Sequence, residues 1–146
     1  MIDTALLDKK LAFIETCVRE LVELVRLEAL DSDIREQRFA QHTLQMALQS
    51  ALDVSSHIVS ARRLGEPETN RELFSLLAAD GWVSADLLPI LKAMAGLRNI
   101  LVHGYQQVDN RILRDVIEHR LQDLVRFATE VREKVATVEG QAGPAS

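Results

Sequence analysis

The side chains best suited to chemistry gather in one short run, Gly96-Leu97-Arg98-Asn99-Ile100-Leu101-Val102-His103-Gly104-Tyr105. A histidine, with a reference pKa of about 6.5, can take or give a proton near neutral pH. A guanidinium stays charged throughout and offers forked N–H donors to oxyanions. Asn99 adds an amide that can orient an imidazole or bind an anion. Taken singly, each residue also suits a plain helix end, with Arg98 pairing to an acidic neighbour, His103 capping carbonyls and Tyr105 packed on the surface.

Spacing constrains how these groups can meet. At about 100° per residue, Arg98 and His103 leave an unbroken helix about 140° apart, whereas Asn99 and His103 share a face. Convergence of Arg98 and His103 therefore requires the helix to end there. Gly104 supplies that ending, because glycine tolerates the left-handed conformation that follows a helix.

The elements that must position this run are helices. Apolar residues recur at spacings of three and four from Thr4 to about Val138, and no alternating strand-like run is bounded by turn residues. The pattern predicts an all-α antiparallel bundle of about five helices. A first helix spans Thr4 to Ala29 with Leu7, Leu11, Ile14, Val18, Leu21 and Val25 on one stripe. Asp31-Ser32-Asp33 breaks the chain and caps a second helix, carrying Leu44, Leu48, Ala51, Leu52, Ser55, Ile58 and Val59 and ending near Gly65. Thr69 and Glu72 form a capping box for a short helix that stops near Gly81. Ser84 caps a fourth, with Leu87, Ile90, Met94, Leu97 and Leu101 inward and Pro89 forcing a kink or a late start. Asp109 caps one long last helix with Leu113, Val116, Ile117, Leu121, Leu124, Ala128, Val131 and Val135 buried. Residues 1–139 make one domain and 140–146 a flexible tail.

Bulk properties exclude several functions. A chain of 146 residues can bury a single core without crosslinks, and its one cysteine, Cys17, permits neither an intrachain disulfide nor a cysteine-based zinc site. Acidic Asp3 and Asp8 stand where a secretory signal would be basic, and no apolar run approaches the roughly 20 residues that span a bilayer. The expected location is cytoplasmic. A net charge of −5 disfavours a broad basic surface for nucleic acid, so any RNA contact must be local.

Other polar residues are weaker candidates. Asp53 and His57 lie one turn apart and read as an exposed helix pair before a catalytic one. His42 and His119 have no neighbours at metal-ligand spacing, and Cys17 sits in an apolar pattern. Arg62-Arg63, Arg111 and Arg114 either line an RNA path or are solvated helix ends.

Arginine, four residues, histidine, one residue, tyrosine: this pattern at Arg98, His103 and Tyr105 resembles the signature of the HEPN superfamily, in particular the HepT-like toxins paired with minimal nucleotidyltransferase antitoxins. Arg38-Phe39-Ala40, Gly65-Glu66-Pro67 before Arg71-Glu72-Leu73-Phe74, and Met94-Ala95-Gly96-Leu97 extend the resemblance over about residues 3 to 138. Pro89 and His42 depart from it without touching the motif. The resemblance implies a homodimeric, metal-independent endoribonuclease with no cofactor. In it Arg98 and His103 are catalytic and Asn99 supports them. A nucleotidyltransferase partner would silence the enzyme by adding AMP to Tyr105. The alternative is a binding module that docks such a partner without cutting RNA.

Overall fold

The computed structural model describes residues 2–103 and 108–141, with the side chain of Gln141 excepted. Among the described residues there are six α-helices, one short 3-10 turn and no strand. Expected cap residues begin three of the helices, at Asp33, Thr69 and Asp109, and Asp3, which the sequence reading did not name as a cap, begins a fourth. Asp3 accepts from the Leu6 N–H at the start of α1 (Thr4–Leu24), and Asp33 from the Arg35 N–H at the start of α2 (Ile34–Ala61). Thr69 accepts from the Glu72 N–H ahead of α3 (Asn70–Ala79), and Asp109 from the Arg111 N–H ahead of α5 (Asn110–His119). Each satisfies a backbone donor that the helix itself leaves open.

Where the helices stop differs from the periodicity. The first ends at Leu24 rather than Ala29: Val25 and Arg26 are extended, and a 3-10 turn occupies Leu27–Ala29. Tertiary bonds hold that turn. Glu36 accepts from the Arg26 N–H at 3.0 Å, while Asn110 and Arg114 donate to the carbonyls of Leu30 and Leu27. The second helix ends at Ala61, because Arg63, not Gly65, takes the left-handed position (φ 53°). The Leu64 N–H then reaches back to the Val59 carbonyl. In α3 the glycine does take that role, with Gly81 at φ 78° and the Trp82 N–H bonded to the Leu77 carbonyl.

The fourth helix, α4 (Leu88–His103), takes the late start, with Pro89 as its second residue where a missing N–H costs nothing. Ser84 does not cap it; its N–H and hydroxyl bind Glu130 instead. The expected single last helix is two, broken at Arg120 into α5 and α6 (Leu121–Gln141). The halves serve different neighbours: α6 lies along α1, whereas α5 packs on α2 and ties down the 27–31 turn. Helix α6 runs through residues 140 and 141, the first of the expected tail.

All the stripe residues named for the first, second and last helices are buried. On α4, Ile90 is only partly covered. Central α2 touches α1, α3 and α4. Two aromatic residues outside the predicted stripes anchor the core: Trp82 and Phe127 are both fully buried, and Phe127 meets Phe74 edge to face at 6.2 Å.

Candidate functional site

Helix α4 carries the motif, and both its position and its phase are set from outside. Near its start, Arg126 of α6 donates to Glu130, to Ser84 and, through both terminal nitrogens, to Asp86. Along its length Leu91, Met94, Ala95, Leu97 and Leu101 bury one side. On the side toward α3, Gly96 leaves room for Arg71, whose Nη2 would lie 2.8 Å from a Cβ at that position.

This phase turns Arg98 toward α2. Its Nε donates to Gln49 Oε1 at 2.9 Å, and its Nη1 donates to Asn99 Oδ1 at 3.1 Å. Behind Gln49, the amide Nε2 donates to Asp53 Oδ1 at 2.9 Å, and Lys10 Nζ of α1 donates to the other carboxylate oxygen at 3.2 Å. Arg98 is partly buried, while Asn99, Ile100 and His103 are exposed.

Among the described residues no hydrogen bond joins Arg98 to His103. Helix α4 continues unbroken to His103, so the two side chains depart about 140° apart. Asn99 is hydrogen-bonded to Arg98, although its spacing suits His103. The proposed helix stop at Gly104 and the residue beyond it, Tyr105, lie outside the described residues.

The acidic partner allowed for Arg98 is replaced by two neutral amides. Asp53 and His57 do not pair with each other: His57 Nε2 accepts the Asp3 N–H at 2.9 Å, helping to secure the start of α1. Arg111 and Arg114 are matched with Asp109 and Asp31. Arg62 and Arg63 close the C-terminus of α2. His42 and His119 are exposed, and His119 stands 3.5 Å from Glu118. Cys17 is buried, and desolvation, aided by Glu20, pushes its thiol up to about 11, leaving it an unreactive thiol. Sequence reasoning missed Gln49 and Lys10. The available signal was Gln49 standing one turn before Asp53 at the edge of the α2 stripe.

Comparison with known proteins bears directly on this helix. The profile of the family described as ribonuclease HepT-like matches residues 14–131, which includes Arg98 and His103. The chain belongs to the ribonuclease HepT-like family. Among similar HepT proteins, the mRNA nuclease HepT of Shewanella oneidensis is 31% identical over 124 residues, covering 84% of this chain and 93% of that one. The tRNA nuclease HepT of Aphanizomenon flos-aquae is 28% identical over 117 residues, 80% of each chain. The fold also matches the solved tri-AMPylated Shewanella oneidensis HEPN toxin in complex with MNT antitoxin. The TM-score is 0.82 at 30% identity, with 91% of this chain and 99% of that one covered. The all-helical HEPN architecture and the HepT-like resemblance are thus as the motif implied.

Proposed function

We propose that this protein is the toxin of a toxin–antitoxin pair, an endoribonuclease that needs no metal. The observation that carries the reading is the state of Arg98. Within a HepT-like fold, the motif guanidinium is held in place by Gln49 and Asn99, neutral amides, and among the described residues no carboxylate is bonded to it. Such a fork can bind the scissile phosphate and stabilise the charge that grows on it. His103 accepts the proton as the 2′-oxygen attacks phosphorus, and the departing 5′-oxygen collects a proton from a second acid. The products are a 2′,3′-cyclic phosphate and a 5′-hydroxyl.

Because Arg98 and His103 of one chain diverge, the working site is completed by a second copy across a two-fold axis. Pairing also doubles the local positive charge on a chain of net −5. Exposed Ile100, on the outer side of α4, and Ile112, beside α4 on α5, give the two copies an apolar surface to share. The same divergence favours one rival, a module that docks a partner without cutting RNA. Purified protein incubated with total RNA in EDTA separates the two. Cleavage that falls about 10²- to 10⁴-fold in Arg98→Ala and His103→Ala, with unchanged helicity, is expected for the nuclease. The absence of cleavage by the unaltered protein, or a requirement for added divalent metal, overturns the metal-free nuclease.

The antitoxin is a minimal nucleotidyltransferase, as in the solved Shewanella complex. The Tyr105 phenolic oxygen attacks the α-phosphorus of ATP, pyrophosphate leaves, and AMP becomes joined to the chain. Each AMP brings one negative charge beside the motif and occupies space that RNA needs. Tyr105 is the only tyrosine, so an adduct on its peptide in the co-expressed protein, absent from Tyr105→Phe, is unambiguous by mass spectrometry. Full silencing of Tyr105→Phe with no adduct on the unaltered chain would mean inhibition by occlusion alone.

A further inference from the structure

Three residues behind the motif, Lys10, Asp53 and Gln49, form with Arg98 a hydrogen-bonded line from α1 through α2 to α4. The direction of each bond in this line is forced by chemistry. Arginine Nε can only donate, so the Gln49 atom 2.9 Å from it must be the carbonyl oxygen. A carboxylate can only accept, so the Gln49 atom facing Asp53 must be the amide nitrogen. Arg98 at one end and Asp53 at the other therefore allow Gln49 a single orientation, and Lys10 holds Asp53 in turn.

Few side chains can stand at this position. Glutamate would meet Arg98 but repel Asp53, and leucine would fill the space and bond neither. The grip falls on Nε, at the inner edge of the guanidinium. Nη1 is left with the exposed Asn99, and among the described residues Nη2 has no hydrogen-bond partner. A long side chain that would otherwise sample many rotamers is thus gripped at its inner edge, while its outer fork meets, among the described residues, only the exposed Asn99.

We infer that Gln49 is a positioning residue for the cleavage reaction, presenting the outer edge of the Arg98 guanidinium to the scissile phosphate. The inference rests on the phosphate-binding role of Arg98 proposed above.

The test combines Gln49→Leu with Arg98→Lys, singly and together, in RNA cleavage under EDTA, thermal melting and NMR of arginine Nε–H groups. In the unaltered protein the Arg98 Nε–H should be protected from exchange. Gln49→Leu should lose that protection while melting normally, and its kcat should fall on the order of 10²-fold, the scale of a misplaced reacting group. In the Arg98→Lys background the same substitution should add little, because its effect passes through Arg98. Gln49→Met, closer in shape, keeps the comparison available if the leucine variant melts early. An Nε–H equally protected in Gln49→Leu overturns the inference, as does an equal loss of cleavage in both backgrounds. Cleavage by Arg98→Lys at the unaltered rate would instead remove the phosphate role of Arg98. The NMR result stands whatever activity remains.

Discussion

Arg126 and Arg98 are both partly exposed arginines that hold α4 in place, one near its start and one near its end, and their partners differ in kind. Arg126 is surrounded by acids: it forks onto Asp86, bonds Glu130 at 2.6 Å and shares Ser84 with it. The hydrogen bonds from Arg126 lower the Asp86 carboxyl to about 2, and Arg126 itself is raised further above its ordinary value. Both charges are consumed by the structure. Arg98 makes comparable bonds to Gln49 and Asn99, yet no charge on those partners opposes its own. An arginine meant to brace a helix is best matched with carboxylates. One meant to meet a phosphate is best matched with amides, which fix its geometry and leave its field intact.

Helix α4 runs between the two arginines' attachment points, and the harshest disturbance falls on it. Leu101→Asp puts an unpaired charge on the buried side of α4, where the leucine is 6% exposed. Loss of the cooperative fold is expected, at about 3–5 kcal/mol. A circular-dichroism melt unchanged from the unaltered protein would show that this side of α4 does not carry the packing. A gentler change makes Arg98 resemble Arg126: Gln49→Glu keeps an acceptor near Nε but adds a negative charge. RNA cleavage should fall on the order of tenfold with helicity retained. Full activity in this variant would mean that the neutrality of the partner is irrelevant.

The converse change, Arg126→Ala, should lower the melting temperature and leave the rate of RNA cleavage at saturating substrate untouched. A fall in that rate would give the two arginines a common role.

The smallest effect is expected in acid. Glu15 of α1 is held below its ordinary 4.5, chiefly by the hydrogen bond from Arg132 of α6, and Asp86 lies near 2 against an ordinary 3.8. Carboxyls lowered by folding stabilise the protein above their unfolded values and lose that contribution as pH falls through the folded ones. The melting temperature should therefore begin to drop below about pH 4.5, with the Asp86 share disappearing between 3.8 and about 2. Glu15→Gln should be less stable at neutral pH and lose less in acid. Parallel curves for the two proteins would mean that the Glu15 pair contributes nothing.

Periodicity, caps and the motif were legible in the chain itself because each is local. Apolar stripes declare helices through spacing alone, Asp33, Thr69 and Asp109 bond N–H groups two or three residues onward, and Arg98, His103 and Tyr105 are a fixed pattern of residue types. The family followed from that pattern. Helix ends were less legible wherever distant groups decided them. Glu36, Asn110 and Arg114 hold the turn after α1, and the different neighbours of α5 and α6 separate them at Arg120 without a glycine or proline to announce it. The surroundings of Arg98 were beyond the sequence for the same reason: Gln49 is 49 positions away and Lys10 a further 39 positions before it, and only the packing of α1 and α4 on α2 places them in line. The amino-acid sequence settled which groups could do chemistry; the tertiary fold decided which of them are held by neutral partners and so keep their charge, because side-chain hydrogen bonds depend on distances that the order of residues does not contain.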